Sequence, residues 1–155
     1  MKKLLSAIIA FSFISLAALA DGNSEALNFF NKYVNAANSY NPAITTMYSP
    51  NAKIIRQVIK PDGSTVNVYT DTATYIKQMK LGQAGAKLKH YKNTYTNISV
   101  TPVANGYKVS SLRQPSGETY KLKAYMIVQK QQNGNWLIVE ELMQTKEQIF
   151  LRYAK

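Results

Sequence analysis

The chain has 155 residues, a formal net charge of +11, one histidine and no cysteine. The missing cysteines exclude disulfides, thiolate catalysis and thiolate metal ligands, and a lone histidine excludes the conventional zinc site, which needs several His or Cys ligands. The positive balance favours anionic partners such as lipid headgroups, acidic glycans or an acidic protein.

The N-terminal stretch "MKKLLSAIIAFSFISLAALA" carries two lysines, an apolar run from Leu4 to Leu16 and then small residues. Ala18-Leu19-Ala20 fits the small-x-small rule, so residues 1–20 read as a signal peptide cleaved after Ala20. The apolar run falls short of the roughly 20 residues that a spanning helix needs. Loss of Lys2 and Lys3 lowers the net charge from +11 to +9. The expected product is one periplasmic or secreted domain, residues 21–155, with no integral membrane segment. Export, scattered lysines and only three arginines argue against nucleic acid as a partner.

"SEALNFFNKYVNAANSY" predicts an amphipathic helix: Ser24 offers an N-cap, and Leu27, Phe30, Val34 and Ala37 recur at helical spacing. A second helical turn is expected over "PAITTMY". "AKIIRQVIK" and "STVNVYT" flank "PDG" and read as a β-hairpin. Asp71 or Thr72 then caps a helix that ends near Gly82 or Gly85. From there the chain reads as an antiparallel meander. Its first strand, "KLKHYKNTYTNISVTPV", is followed by "YKVSSLRQ", "ETYKLKAYMIVQKQ" and "NWLIVEELMQ". Two Asn-Gly pairs, Asn105-Gly106 and Asn133-Gly134, suggest type I′ hairpin turns. The last residues, "TKEQIFLRYAK", fit a short helix or a strand extension.

Helix, hairpin, helix and four long strands make an α+β layout. Its local elements, "MYSPNAKI", "TDTATYIKQM" and "NGNWLIVEELM", resemble the NTF2-like superfamily, the SnoaL-like or ketosteroid-isomerase-like cone, although Asn51 stands where an Asp is common. That resemblance implies a curved antiparallel sheet of about six strands packed on two to three helices, an apolar pocket at the open end, and frequent homodimers through the sheet. Fold alone leaves the activity open, because function resides in the site.

His90 is the residue type for acid–base chemistry near neutral pH. Strict alternation sets it beside Leu88, Lys92 and Thr94, with no carboxylate in the local run to orient it, so a surface histidine at a strand end is the plainer reading. Glu140 and Glu141 follow an apolar strand. Alternation groups Trp136, Ile138, Glu140 and Leu142 on one face and Leu137, Val139, Glu141 and Met143 on the other. Both faces are apolar, so one of the two glutamates faces the pocket or a sheet-packing surface, where a carboxylate would have a raised pKa and serve as a base. The plainer readings are a salt bridge to a lysine or a place at a dimer interface. Eleven tyrosines suit a lining with apolar bodies and polar tips. Tyr33, Tyr48, Tyr75, Tyr125, Trp136 and Glu140 are the candidate ligand-binding residues, with Glu140 and His90 the only catalytic candidates. No cofactor or metal site is indicated, although one built of carboxylates alone stays open.

These features point to an exported, non-enzymatic binding protein holding a small apolar or anionic ligand, or a protein partner. The alternatives are a cofactor-independent isomerase or dehydratase using Glu140 with a tyrosine, and a secretion-accessory or toxin-neutralising interaction module.

Overall fold

A computed structural model describes residues 16–154; residues 1–15, most of the expected leader, lie outside the described residues. Helix α1 (Leu16–Asn38) leads into a 3₁₀ turn (Pro42–Met47), then the hairpin β1 (Tyr48–Ile59) and β2 (Thr65–Thr70). Helix α2 (Thr72–Leu88) follows, then β3 (Asn93–Val103), β4 (Gly106–Pro115), β5 (Leu122–Lys130), β6 (Trp136–Thr145) and a C-terminal 3₁₀ turn (Gln148–Tyr153).

The six strands form one sheet in the order β2-β1-β6-β5-β4-β3. Four pairings are antiparallel, as a chain of hairpins requires, and β1 runs parallel to β6. That parallel seam joins the N-terminal hairpin to the meander and completes the α+β sheet. The core forms where α1 lies on the sheet: Ala26, Phe29, Phe30 and Tyr33 recur at helical spacing and pack on Ile54, Val109, Met126, Val128 and Ile138. Each buried side chain of this size stabilises the fold by about 1.5–3 kcal/mol.

Four local readings need correction. The first helix begins at Leu16, so Ser24 lies inside it instead of capping it; the Ala- and Leu-rich "LAALA" carries good helix formers directly into the amphipathic stretch. The second helix passes both glycines and ends at Leu88. Residues 88–92 are therefore not strand, and His90, with φ 49°, occupies the left-handed position that closes α2. There the Tyr91 N–H donates to the Ala86 carbonyl and the His90 N–H to the Lys87 carbonyl, the paired bonds of a Schellman motif. Finally, neither Asn105 nor Asn133 has positive φ; at each turn only the glycine does. In the Gln131–Asn135 loop the Gly134 N–H bonds to the Gln131 carbonyl, giving a type I turn closed by a left-handed glycine in place of type I′.

Two strand irregularities reverse the side-chain alternation. In β3 the pairing slips by one residue at Asn97 (φ 53°), so Tyr95 and Val100 both face the core. In β6, Ile127 pairs with Glu140 and Val128 with Ile138, leaving Val139 as an extra residue. A bulge of this kind turns every later side chain to the opposite face.

Candidate functional site

The Val139 bulge sets the chemistry of the interior. Because of it, Ile138 and Glu141 both point into the core and have no solvent exposure, while Glu140 turns outward. Beside Glu141 on the sheet, β1 contributes Arg56, two residues on from the buried Ile54 that pairs with Glu141. Tyr48 enters from the start of β1, Tyr33 from the buried stripe of α1, and Tyr75 from the first turns of α2.

All four side chains close on one carboxylate. Tyr48 Oη donates to Glu141 Oε2 at 2.5 Å, and Tyr33 Oη lies 3.3 Å from both that oxygen and the Tyr48 hydroxyl. Arg56 Nη1 donates to Glu141 Oε1 at 3.0 Å, and Tyr75 Oη donates to the same oxygen at 3.2 Å. Arg56 Nη2 bonds the Tyr75 hydroxyl at 2.5 Å, and its guanidinium lies 4.7 Å from the centre of that ring. Edge-to-face contacts fix the rings, Tyr48 against Tyr75 at 5.4 Å and Tyr33 against Tyr48 at 6.4 Å.

Electrostatics hold these phenols as donors. Burial, followed by the nearby Glu141 charge, pushes Tyr33 and Tyr48 well above the ordinary tyrosine value. Burial also raises Tyr75, to about 12, although Arg56 pulls the other way. A buried ion pair gains only when its remaining lone pairs and protons are satisfied. Three hydroxyls do that here.

Two cavities flank the cluster, and Tyr75 belongs to the walls of both. One, of about 660 Å³, is lined by Arg56, Asp71, Tyr75, Phe150, Arg152 and Tyr153, so the C-terminal 3₁₀ turn forms one side of it. The other, of about 240 Å³, lies between α1, α2 and β3. Its wall is mostly apolar or aromatic, with Tyr33, Ile44, Tyr75, Met79, Tyr95 and Met143. Tyr40 also lines it, and its hydroxyl is buried without a hydrogen-bond partner. Tyr40 sits at φ 58°, the left-handed position closing α1, where glycine is usual.

Behind the smaller cavity lies Arg113. It is 7% exposed, and no carboxylate pairs with it among the described residues. Its Nη1 donates to Asn93 Oδ1 at 2.9 Å and its Nη2 to the Gln144 carbonyl at 2.8 Å, while Nε has no partner. Asn93 and Tyr95 stand on the cavity wall, and the Arg113 charge opposes the burial that raises Tyr95.

Of the sequence candidates, Tyr33, Tyr48 and Tyr75 come together in this cluster. Glu140 and Tyr125 do not. They lie on the opposite face of the sheet, where Tyr125 Oη donates to Glu140 Oε1 at 2.6 Å, Lys53 stands 4.0 Å from Glu140, and Lys108 covers the Tyr125 ring. Trp136 lines a separate cleft and donates to Glu25 Oε2 at 3.0 Å. His90 is exposed at the end of α2. Glu141, Arg56, Tyr40 and Arg113 went unselected. The signals for two of them were Arg56 and Arg113 themselves, guanidinium groups inside otherwise apolar strands. Among the described residues no group of three or more His, Cys, Asp or Glu comes together to hold a metal ion. No helix of the described residues is long and apolar enough to cross a membrane.

No family model and no curated protein sequence matches the chain. Solved structures do. An NTF2-like protein of unknown function from Pseudomonas putida KT2440 superimposes with TM-score 0.63 at 13% identity, covering 84% of this chain and 87% of that one. A putative ketosteroid isomerase from Shewanella frigidimarina NCIMB 400 gives 0.54 at 19% identity, covering 75% and 91%. Nuclear transport factor 2 from Cryptosporidium parvum gives 0.56 at 14% identity, covering 81% and 92%. The protein therefore has the NTF2-like fold.

Proposed function

We propose that this is an exported, non-enzymatic binding protein whose smaller cavity holds a small apolar molecule bearing an acidic group. The observation that carries binding over turnover is the saturation of Glu141. A general base must offer a lone pair within reach of the substrate proton, and Tyr33, Tyr48, Tyr75 and Arg56 already occupy both oxygens of this carboxylate. An isomerase or dehydratase built on Glu140 loses its support, because Glu140 lies across the sheet from the cavity.

The ligand's charge follows from Arg113. A buried cation without an anionic partner is costly, and an acid held against Asn93 and Tyr95 would compensate it. The Tyr40 hydroxyl supplies a further unpaired polar group. A cavity of 240 Å³ is below the usual range of about 300–1,000 Å³ for drug-sized ligands, which suits a single ring or a short chain. The same reading has two copies pairing through the sheet face that carries Tyr69, Lys53, Glu140 and Tyr125.

Native mass spectrometry of protein exported by its own leader tests all three parts. The mass reports cleavage after Ala20, the stoichiometry reports pairing, and an acidic adduct released on denaturation identifies the ligand. Arg113→Met should lower adduct occupancy about tenfold, through loss of the buried charge that an acid held against Asn93 and Tyr95 would compensate. An uncharged adduct, or an acidic one retained in full by Arg113→Met, refutes the assignment of ligand charge.

A further inference from the structure

The outer side of α2 is a basic, apolar surface unrelated to the cavity behind it. Thr72, Met79, Gln83 and Ala86 turn inward, and one helical stripe therefore faces away: Lys77, Leu81, Ala84 and Leu88. Leu81 is 84% exposed and Leu88 82%, the two largest exposures among the large hydrophobic residues described. Seven residues separate them, about 10 Å along the helix axis. Gly85 leaves the backbone between them bare, since a Cβ there would meet no atom within 4 Å. Packing does not explain this glycine.

Charge here has one sign. No acidic residue occurs between Asp71 and Glu118, while Lys77, Lys80, Lys87, Lys89 and Lys92 lie along α2 and the turn after it, all exposed. Protruding leucines, bare backbone and a surround of lysines make a flat surface without a groove. A protein partner of ordinary affinity needs about 800 Å² of complementary surface per side with an apolar centre. Two leucines do not supply that. They do suit a lipid interface, where apolar side chains enter the boundary below the headgroups while lysine stems reach back to the phosphates. We infer that the outer face of α2 docks on an anionic phospholipid surface, with Leu81 and Leu88 inserted and the lysines of α2 on the headgroup phosphates.

Flotation with phosphatidylcholine vesicles, with and without phosphatidylglycerol, tests this. The protein is exported by its own leader and its N-terminus checked by mass, so that wild type and variants differ only at the substituted positions. Wild type should float with the phosphatidylglycerol vesicles and not with the neutral ones. Leu81→Ser with Leu88→Ser, and separately Lys77→Gln with Lys80→Gln and Lys87→Gln, should each lower the bound fraction at least about tenfold. Lys32→Gln with Lys121→Gln and Lys123→Gln removes the same charge elsewhere and should change it less than about twofold. The inference is overturned if wild type ignores anionic vesicles, if the leucine variant binds as wild type does, or if the control triple loses as much. All the substituted side chains, the control lysines included, are exposed, so unchanged circular dichroism melts should accompany each variant.

Discussion

Glu141 and Arg56 show how position alone changes a residue's role. Adjacent Glu140 is a quarter exposed and accepts from Tyr125 beside Lys53, whose ion pair with it contributes little to the fold, as at most surface ion pairs. Glu141 is wholly buried, and removing its cation leaves a charge with hydroxyl donors but no counter-ion. Arg56→Met should therefore destabilise the fold by about 3–5 kcal/mol, and Arg56→Met combined with Glu141→Leu should recover part of that loss. Urea denaturation of the single and double variants measures both. Strict additivity between the two substitutions would refute the coupling. His90 sits at the opposite extreme. Its left-handed backbone is strained for a residue with a Cβ, so His90→Gly should stabilise by about 0.5–1 kcal/mol, raising the melting temperature by about 2–4 °C. A fall in melting temperature would mean that the histidine ring has a role its backbone position does not reveal.

The elements were mostly legible from the chain. Helical spacing in "LNFFNKYVNAAN" placed Phe30, Val34 and Ala37 on the buried side, and Asp71 does cap α2 through the Thr74 N–H. Strand faces failed wherever a bulge intervened. Alternation runs from Trp136 to Ile138, then Val139 inserts, and Glu141, not the selected Glu140, takes the inward position. Nothing in "WLIVEEL" marks Val139 as the extra residue, because a bulge is settled by the partner strand and the curvature the sheet must take. The turn after α2 failed for a related reason. "KLKHYKN" alternates like a strand, and only the hydrogen bonds that close the helix onto Ala86 and Lys87 decide otherwise.

For the whole molecule, the three cluster tyrosines link the site to global stability. Tyr75 rises from about 10 to about 12, with Tyr33 and Tyr48 also raised, because folding buries phenols that would ionise more readily in the unfolded chain. A raised folded-state pKa gives stability that is intact below the unfolded value and lost as pH climbs toward the folded one. Stability should hold up to about pH 10 and fall steeply between about pH 10 and 12. In a pH series of urea midpoints, Tyr33→Phe with Tyr75→Phe should flatten that fall, and an unchanged slope would remove these tyrosines as its cause. The two faces of α2 are separable at this scale: the inner one walls the cavity with Met79, Gln83 and Ala86, and the outer one carries Leu81 and Leu88.

From sequence alone came the order of elements, the α+β layout, the NTF2-like resemblance, the exclusion of thiol chemistry and the expectation of export. These depend on composition and local periodicity, which each segment carries by itself. Tertiary structure alone decided which glutamate is buried, that Arg56 joins Tyr33, Tyr48 and Tyr75 around it, and that Arg113 lies behind the cavity with no acid among the described residues to pair it. Those side chains come from segments up to 108 residues apart, as Tyr33 and Glu141 are, and meet only after β1 pairs with β6. Register and bulges are set by that pairing, so the site had no local signature to read.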